Sequence, residues 1–373
     1  MQLIGGQIFT PDGFVKRDLC FSGSRIVSDA ACGEMLDVSG CYVIPGLTDL
    51  HFHGCVGADF SDGDPTGLEK MAEYMLSRGI TQICPASITL PMAQLKKVCI
   101  LAAQYAASES GSWLCGINME GPFLSEEKKG AQNGDWLRVP DLSMFEELYD
   151  ISGGLVKMVT VAPELPGAMQ FIREASRKAV VSIGHTKADY ETAAAAFAAG
   201  AREVTHIFNA MPPMNHRDPG VIGAAVDCPC CMAELICDGI HIHPSVIRTI
   251  FRMFGTGRIV MISDTMRAAG MPDGKYTLGG LPVTVSGLRA ELEDGTLAGS
   301  VTDLMRCMQN AVSFGIPLED AVRAAAVNPA KILGIDDEVG SLEAGKLANL
   351  SVLDQSLDLK YVFYQGKPIP VRN

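Results

Sequence analysis

Two histidines stand two apart in Asp49-Leu50-His51-Phe52-His53-Gly54, at the end of an apolar run that begins at Cys41. In an extended chain, residues i and i+2 point to the same side, so both imidazoles project together from the strand's end. Such a pair suits a metal ion or a general base; two exposed loop side chains are the plain alternative. The remaining histidines extend the pattern. His185, His206, His216, His241 and His243 lie at, just after or in the loop beyond the ends of further apolar runs, and Glu120 and Asp264 end two more. Scattered surface histidines would also fall in helices or at strand starts, and none clearly does. Imidazoles with a carboxylate suit a divalent ion of the zinc or iron type, with positions left open for water. Such an ion activates water near neutral pH and polarises a carbonyl oxygen. A carboxylate beside it can carry a proton from that water to a leaving group. Asp264 is the candidate, with a helix cap or a salt-bridge partner as its structural alternative.

These side chains converge only if the strands carrying them share one edge. Apolar runs recur near 41–50, 80–88, 113–119, 155–162, 179–184, 203–208, 232–238 and 258–263, most of them separated by helical stretches with readable ends. Asp64-Pro65 reads as a cap and first-turn proline, with Gly79 as the stop. Lys187 to Ala199 reads as an alanine-rich helix stopped by Gly200, and His243-Pro244 opens another that ends at Gly255. Eight alternations predict an α/β fold of the TIM type, a parallel (β/α)8 barrel over 45–339; such barrels run to about 250 residues and gather their sites at the strands' C-terminal ends. Turn signals within Gly270 to Gly299 predict a β-hairpin insertion after the eighth strand, followed by helices over 300–314 and 318–333. Residues 1–44 and 340–373 have β character without helices and are expected to form one small β-sandwich from both ends of the chain. No internal repeat or low-complexity linker interrupts the chain.

Composition sets the class. Of 373 residues, 47% are hydrophobic, enough for a large core and against disorder. A formal net charge of −13 argues against nucleic acid or an anionic membrane as partner. No apolar run reaches membrane-span length, and Met1 to Thr10 reads as a strand rather than an export signal. Most of the 12 cysteines sit singly in apolar runs, as buried thiols of a reducing, cytoplasmic compartment would. Cys228, Cys230 and Cys231 cluster without a second pair at zinc-ribbon spacing, so their expected role is structural.

Longer motifs then narrow the chemistry. Asn118-Met119-Glu120-Gly121-Pro122-Phe123 with Lys129-Gly130-Ala131, Gly184-His185-Thr186, Thr205 to Met211, Asp238-Gly239-Ile240-His241 and Ser263-Asp264-Thr265-Met266 resemble the N-acetylglucosamine-6-phosphate deacetylases of the amidohydrolase superfamily. Asn328-Pro329-Ala330 and Gly340 to Gly345 resemble the superfamily's tail, so the likeness covers nearly the whole chain. The resemblance implies that Glu120, His185 and His206 hold the principal metal, zinc by expectation with iron or another divalent ion as alternatives. His51 and His53 match members able to hold a second ion, with Glu120 as the bridge. Asp264 would be the general base and acid, serving a metal-activated hydroxide. Asn209, Ala210, Arg217 and His241 would bind the phosphate of an amino-sugar phosphate, with Arg217 reaching in from the second subunit of a homodimer. Ala131 and Gln132 would face the substrate. Gln132 replaces a common family histidine, and its amide can hydrogen-bond a sugar hydroxyl without carrying charge.

Three other readings are open. The galactosamine epimer is the nearest. A cyclic-amide hydrolase on the same barrel would bridge its metals with a lysine ending strand four, but that strand ends Thr160-Val161-Ala162-Pro163-Glu164, and Lys157 lies too early. A sugar-phosphate sensor should have lost a ligand or the acid/base, and this chain has all of them.

Overall fold

The computed structural model describes residues 1–28, 33–107 and 111–372; Cys32 lies outside them. Eight strand–helix pairs follow one another: β1 (Leu47–Asp49) and α1 (Pro65–Ser77), β2 (Ile80–Ile83) and α2 (Met92–Ala106), β3 (Ile117–Met119) and α3 (Leu142–Ile151), β4 (Val156–Val161) and α4 (Ala168–Ala175). The second half repeats the pattern with β5 (Val180–Ile183) and α5 (Tyr190–Ala199), β6 (Glu203–Val204) and α6 (Gly220–Asp227), β7 (Met232–Ile236) and α7 (Pro244–Phe254), and β8 (Ile259–Ile262) and α8 (Leu304–Ser313). Neighbouring strands pair in parallel, and a seven-stranded sheet runs from the short extension Ala86–Ser87 beyond β2 round to β8. The backbone N–H of Asp264 donates to His51 O at 2.9 Å, and Ser263 Oγ donates to Asp49 Oδ2 at 2.5 Å, closing β8 on β1. Strands covered on both faces read as unbroken apolar runs, which is why the sequence showed no alternation there.

The apolar run expected as one strand from Cys41 to Asp49 is two. Tyr42–Pro45 pairs with Gln7–Thr10 and Leu350–Leu353 in a six-stranded sheet, and Leu47–Asp49 opens the barrel. Gly46 is the junction, because a Cβ there would lie 2.0 Å from Thr81 Oγ1. A four-stranded sheet of Gln2–Ile4, Leu19–Ser22, Arg25–Val27 and Met35–Asp37 packs on the six-stranded one, with Phe21 and Phe363 edge to face at 5.3 Å.

Helix ends follow local chemistry. Asp64 caps α1 by accepting from the N–H groups of Thr66 and Gly67. α5 starts at Tyr190 rather than Lys187, because the Asp189 carboxylate accepts from Thr192 N–H and sets the first turn there. His243 caps α7 through its ring, and Ile247, Ile250, Phe251 and Phe254 bury that helix's inner face at roughly 1.5–3 kcal/mol each. α8 begins at Leu304, where Asp303 accepts from Arg306 N–H, rather than at residue 300. The helix expected over 318–333 is interrupted by a π-helical turn at Arg323–Val327, beside Asn328, whose Nδ2 donates to Thr256 O and Ile259 O. The segment after β8 forms a hairpin of Gly274–Leu278 and Leu281–Ser286, and Arg289–Glu291 adds a third strand. Its inner face packs on Ile88, Met266 and Ala268 beside the barrel mouth.

Candidate active site

A cavity of about 500 Å³ opens at the C-terminal ends of the strands, walled by His53, Glu120, His185, His206, His241 and Asp264. Several of these residues turn inward through backbone conformations that side chains rarely adopt. His185, His206, Ala210 and Asp264 have φ of 47°, 27°, 51° and 50°. Such conformations cost of order 1–3 kcal/mol each and persist where surrounding structure holds them. Gly184 lets β5 approach its neighbour, since a Cβ there would sit 2.6 Å from Thr205 Cβ.

Glu120 is the centre. Its Oε1 lies 3.1 Å from His185 Nε2 and 3.0 Å from His206 Nε2, and those two nitrogens are 3.1 Å apart. On the other side, His51 Nε2 is 3.4 Å from Oε1, and His53 Nε2 is 3.4 Å from Oε2. Two three-residue groups able to hold a metal therefore share one carboxylate: His51, His53 and Glu120, and Glu120, His185 and His206. Asp264 Oδ1 stands 3.3 Å from His53 Nε2 and 3.9 Å from His51 Nε2.

The donor set fits a divalent cation. His185 Nδ1 donates to Lys128 O at 2.9 Å, His53 Nδ1 to Ala86 O at 3.2 Å, and His51 Nδ1 to Glu234 Oε2 at 2.9 Å. Donation from the outer nitrogen leaves the inner one as a lone pair in a neutral ring. Among the described residues, the buried His51 Nε2 has no hydrogen-bond partner. Lone pairs and carboxylate oxygens converging out of solvent repel one another unless a cation or protons sit among them. The protonation directions show the same demand for positive charge among these groups, met there by protons on the rings. Burial disfavours the charged form of His51, yet Glu234 and Glu120 hold its pKa well above the usual value. Burial likewise opposes ionisation of Glu120, but the His51 charge and hydrogen bonds from His185 and His206 hold its carboxyl well below the ordinary range. Asp264 is lowered too: burial opposes, and the hydrogen bond from His53 together with the charges of His51, His53 and His206 outweighs it.

The other expected residues divide. Ala131, Gln132, Asn209, Ala210 and His241 line the same cavity. His241 Nδ1 donates to Asp238 Oδ2 at 2.7 Å, and this bond raises the imidazole's pKa although burial lowers it. Gln132 is already engaged, its Oε1 accepting from Thr89 N–H at 2.6 Å and its Nε2 donating to Glu120 Oε2 at 2.7 Å. Arg217 is exposed in the loop after β6, outside the residues that wall the cavity, as is its neighbour His216. His243 serves as the cap of α7. Cys228 and Cys230 bring their sulfurs to 3.3 Å at the end of α6, well along the chain from the metal-binding set.

Three positioning groups were not among the residues expected from the sequence. Glu234, on β7, takes the His51 ring N–H and the backbone N–H of His206 on the same oxygen, each at 2.9 Å. Glu164 accepts from Thr186 Oγ1 and Lys187 N–H, holding the turn beyond His185. Asp49, pushed by burial up to about 7, accepts from Ser263 Oγ beside Asp264. Carboxylates in strands and turns look ordinary until their partners are known. A carboxylate buried in an apolar run, as at Glu234, was the one available cue.

The amidohydrolase family model matches residues 42–370. N-acetylglucosamine-6-phosphate deacetylase of Bacillus subtilis (strain 168) is 37% identical over 330 residues, covering 87% of this chain and 83% of the relative. N-acetylgalactosamine-6-phosphate deacetylase of Escherichia coli O157:H7 is 34% identical, covering 87% and 86%. A mutant N-acetyl-D-glucosamine-6-phosphate deacetylase from Mycobacterium smegmatis, solved in complex with N-acetyl-D-glucosamine-6-phosphate, superposes with a TM-score of 0.94 at 32% identity, covering 100% of this chain and 99% of that one. With its barrel, its shared carboxylate and these relatives along nearly its whole length, the chain belongs to the amidohydrolase family and, within it, to the N-acetylglucosamine-6-phosphate deacetylases.

Proposed function

We propose that this protein hydrolyses the acetamide of N-acetylglucosamine 6-phosphate, giving glucosamine 6-phosphate and acetate in amino-sugar breakdown. The observation that carries this reading is Glu120 shared between two histidine pairs, with Asp264 beside them on one cavity wall. Glu120, His185 and His206 would hold one divalent ion, zinc by the chemistry of an imidazole–carboxylate set, and His51 and His53 with Glu120 a second. Bound there, a divalent ion polarises the amide carbonyl and lowers the pKa of water.

The chain's own residues do the rest. Asp264 is ionised and within reach of the same space as His53, so it accepts the proton of the attacking water and delivers it to the departing amine. His241, its pKa raised by the bond to Asp238 against burial, and the Asn209-Ala210 turn form the phosphate end of the cavity. Arg217 is exposed and forms no ion pair among the described residues, and its guanidinium fork suits a phosphate in a neighbouring copy's cavity, which makes a homodimer the working assembly. The thiols of Cys84, Cys115 and Cys237 are free and buried, which favours a reducing cytoplasmic setting. No described helix is long and apolar enough to cross a membrane.

The deciding experiment measures acetate release from N-acetylglucosamine 6-phosphate and from its galactosamine epimer on metal-loaded protein. Faster turnover of the glucosamine substrate supports the reading. Preference for the epimer would move the protein to the galactosamine reading, which one of its relatives keeps in view.

A further inference from the structure

Gln132 lies in the loop after β3, twelve residues beyond Glu120, and is 5% exposed. Its amide orientation is settled by its partners. Thr89 N–H can only donate, so the atom 2.6 Å away is the oxygen, and Nε2 is then the donor to Glu120 Oε2 at 2.7 Å. The side chain spans from the segment after β2 to the carboxylate at the end of β3.

The carboxylate needs such a hold. The last torsion of a glutamate side chain is broad and roughly two-fold, so Glu120's own rotamer does not fix its plane. Its two oxygens nevertheless meet different neighbours. Oε1 faces His185, His206 and, at 3.4 Å, His51, while Oε2 faces His53 at 3.4 Å, so the plane of the carboxylate decides whether both histidine pairs reach it. Gln132 is the side chain that donates to Oε2 without belonging to either metal-binding group. A lysine or arginine there would also donate, but its charge would compete with a cation for the same carboxylate. A neutral amide sets the plane and leaves the charge available.

We infer that Gln132 is a positioning residue that holds Glu120 in a bridging orientation, so that the site takes a second divalent ion at His51 and His53. This rests on the metal-dependent reading above, and it adds a role to the expectation that the amide hydrogen-bonds a sugar hydroxyl. Partners behind a metal ligand commonly change ion affinity by about 10–100-fold.

The test uses Gln132→Met, similar in length but without a donor, and Gln132→Asn, an amide too short to reach both Thr89 and Glu120. Chelator-stripped wild-type and variant proteins are titrated with zinc by calorimetry without substrate. Cobalt spectra then report the ligand geometry, and thermal melts check folding. The expected result is two ions in the wild type; in the variants one ion binds as before, and the second binds at least tenfold more weakly. The kcat should fall while KM stays within about threefold, since uniform substrate binding is untouched. Two ions bound at wild-type affinity by either folded variant would overturn the proposal. So would a rise in KM alone, or a wild-type protein that takes one ion only. Because the titration needs no substrate, absence of deacetylation with stepwise ion binding intact would sink the substrate reading and leave Gln132's role standing.

Discussion

Glu234 Oε2 lies 2.9 Å from His51 Nδ1, inside the barrel where neither side chain meets solvent. The same oxygen takes the backbone N–H of His206, so one carboxylate braces a histidine from each metal-binding group. Glu234→Ala should leave two buried donors unpaired, at about 1–3 kcal/mol each, and weaken ion binding on the His51 side by roughly 10–100-fold. Glu234→Gln retains an oxygen for both contacts and should lose much less. Chemical denaturation and metal titration of the two variants check the ordering; equal losses would mean that charge, not hydrogen bonding, is what matters.

Asp264 turns into the cavity at φ 50°, a conformation that asparagine also tolerates. Asp264→Asn should therefore keep the fold and the ions on Glu120, His185 and His206 while kcat falls by roughly 10²–10⁴-fold. Single-turnover assays with metal analysis on the same sample separate the two effects. Normal turnover in that variant removes the aspartate from the chemistry.

The raised pKa of His241 sets a pH dependence. Burial works against the cation, but the Asp238 hydrogen bond and the Asp238 and Asp264 charges together more than compensate. A histidine raised on folding stabilises the fold fully below its unfolded value near 6.5 and loses that contribution as pH climbs through the folded value. Phosphate binding should follow the same sign, with KM rising as the imidazole loses its proton. In Asp238→Asn the rise should begin at lower pH, with kcat less affected. KM profiles that coincide for the two proteins would leave His241 uncharged in binding.

Arg217 stands outside the cavity of its own chain, which makes complementation decisive. Arg217→Ala should raise KM, and Asp264→Asn should abolish turnover. Mixed after dissociation and reassociation, the two should recover roughly a quarter of wild-type activity, because half the dimers pair one intact Asp264 with its neighbour's intact Arg217. Assayed well below KM, no recovery would mean that the arginine acts within its own subunit, and an Arg217→Ala protein with unchanged KM would remove it from binding.

The sequence alone was enough for the architecture and for the convergent histidines. Period and length separate buried parallel strands from capped helices, and Asp64-Pro65 and His243-Pro244 mark helix starts through local bonds that need no distant partner. Strand ends of a parallel barrel share one rim, so the positions of His51, His185, His206 and Asp264 at strand ends imply that they converge. Tertiary structure decided what depended on partners far along the chain. Glycine is required at 46 because Thr81 leaves no room for a Cβ there, and Gln132 faces Glu120 because Thr89 N–H fixes its oxygen. Glu234 reads as one more residue of a strand until His51, 183 positions away, is folded against it. Periodicity records which face of an element is buried; which polar atom meets which is set by distances between elements, and those exist only in the folded chain.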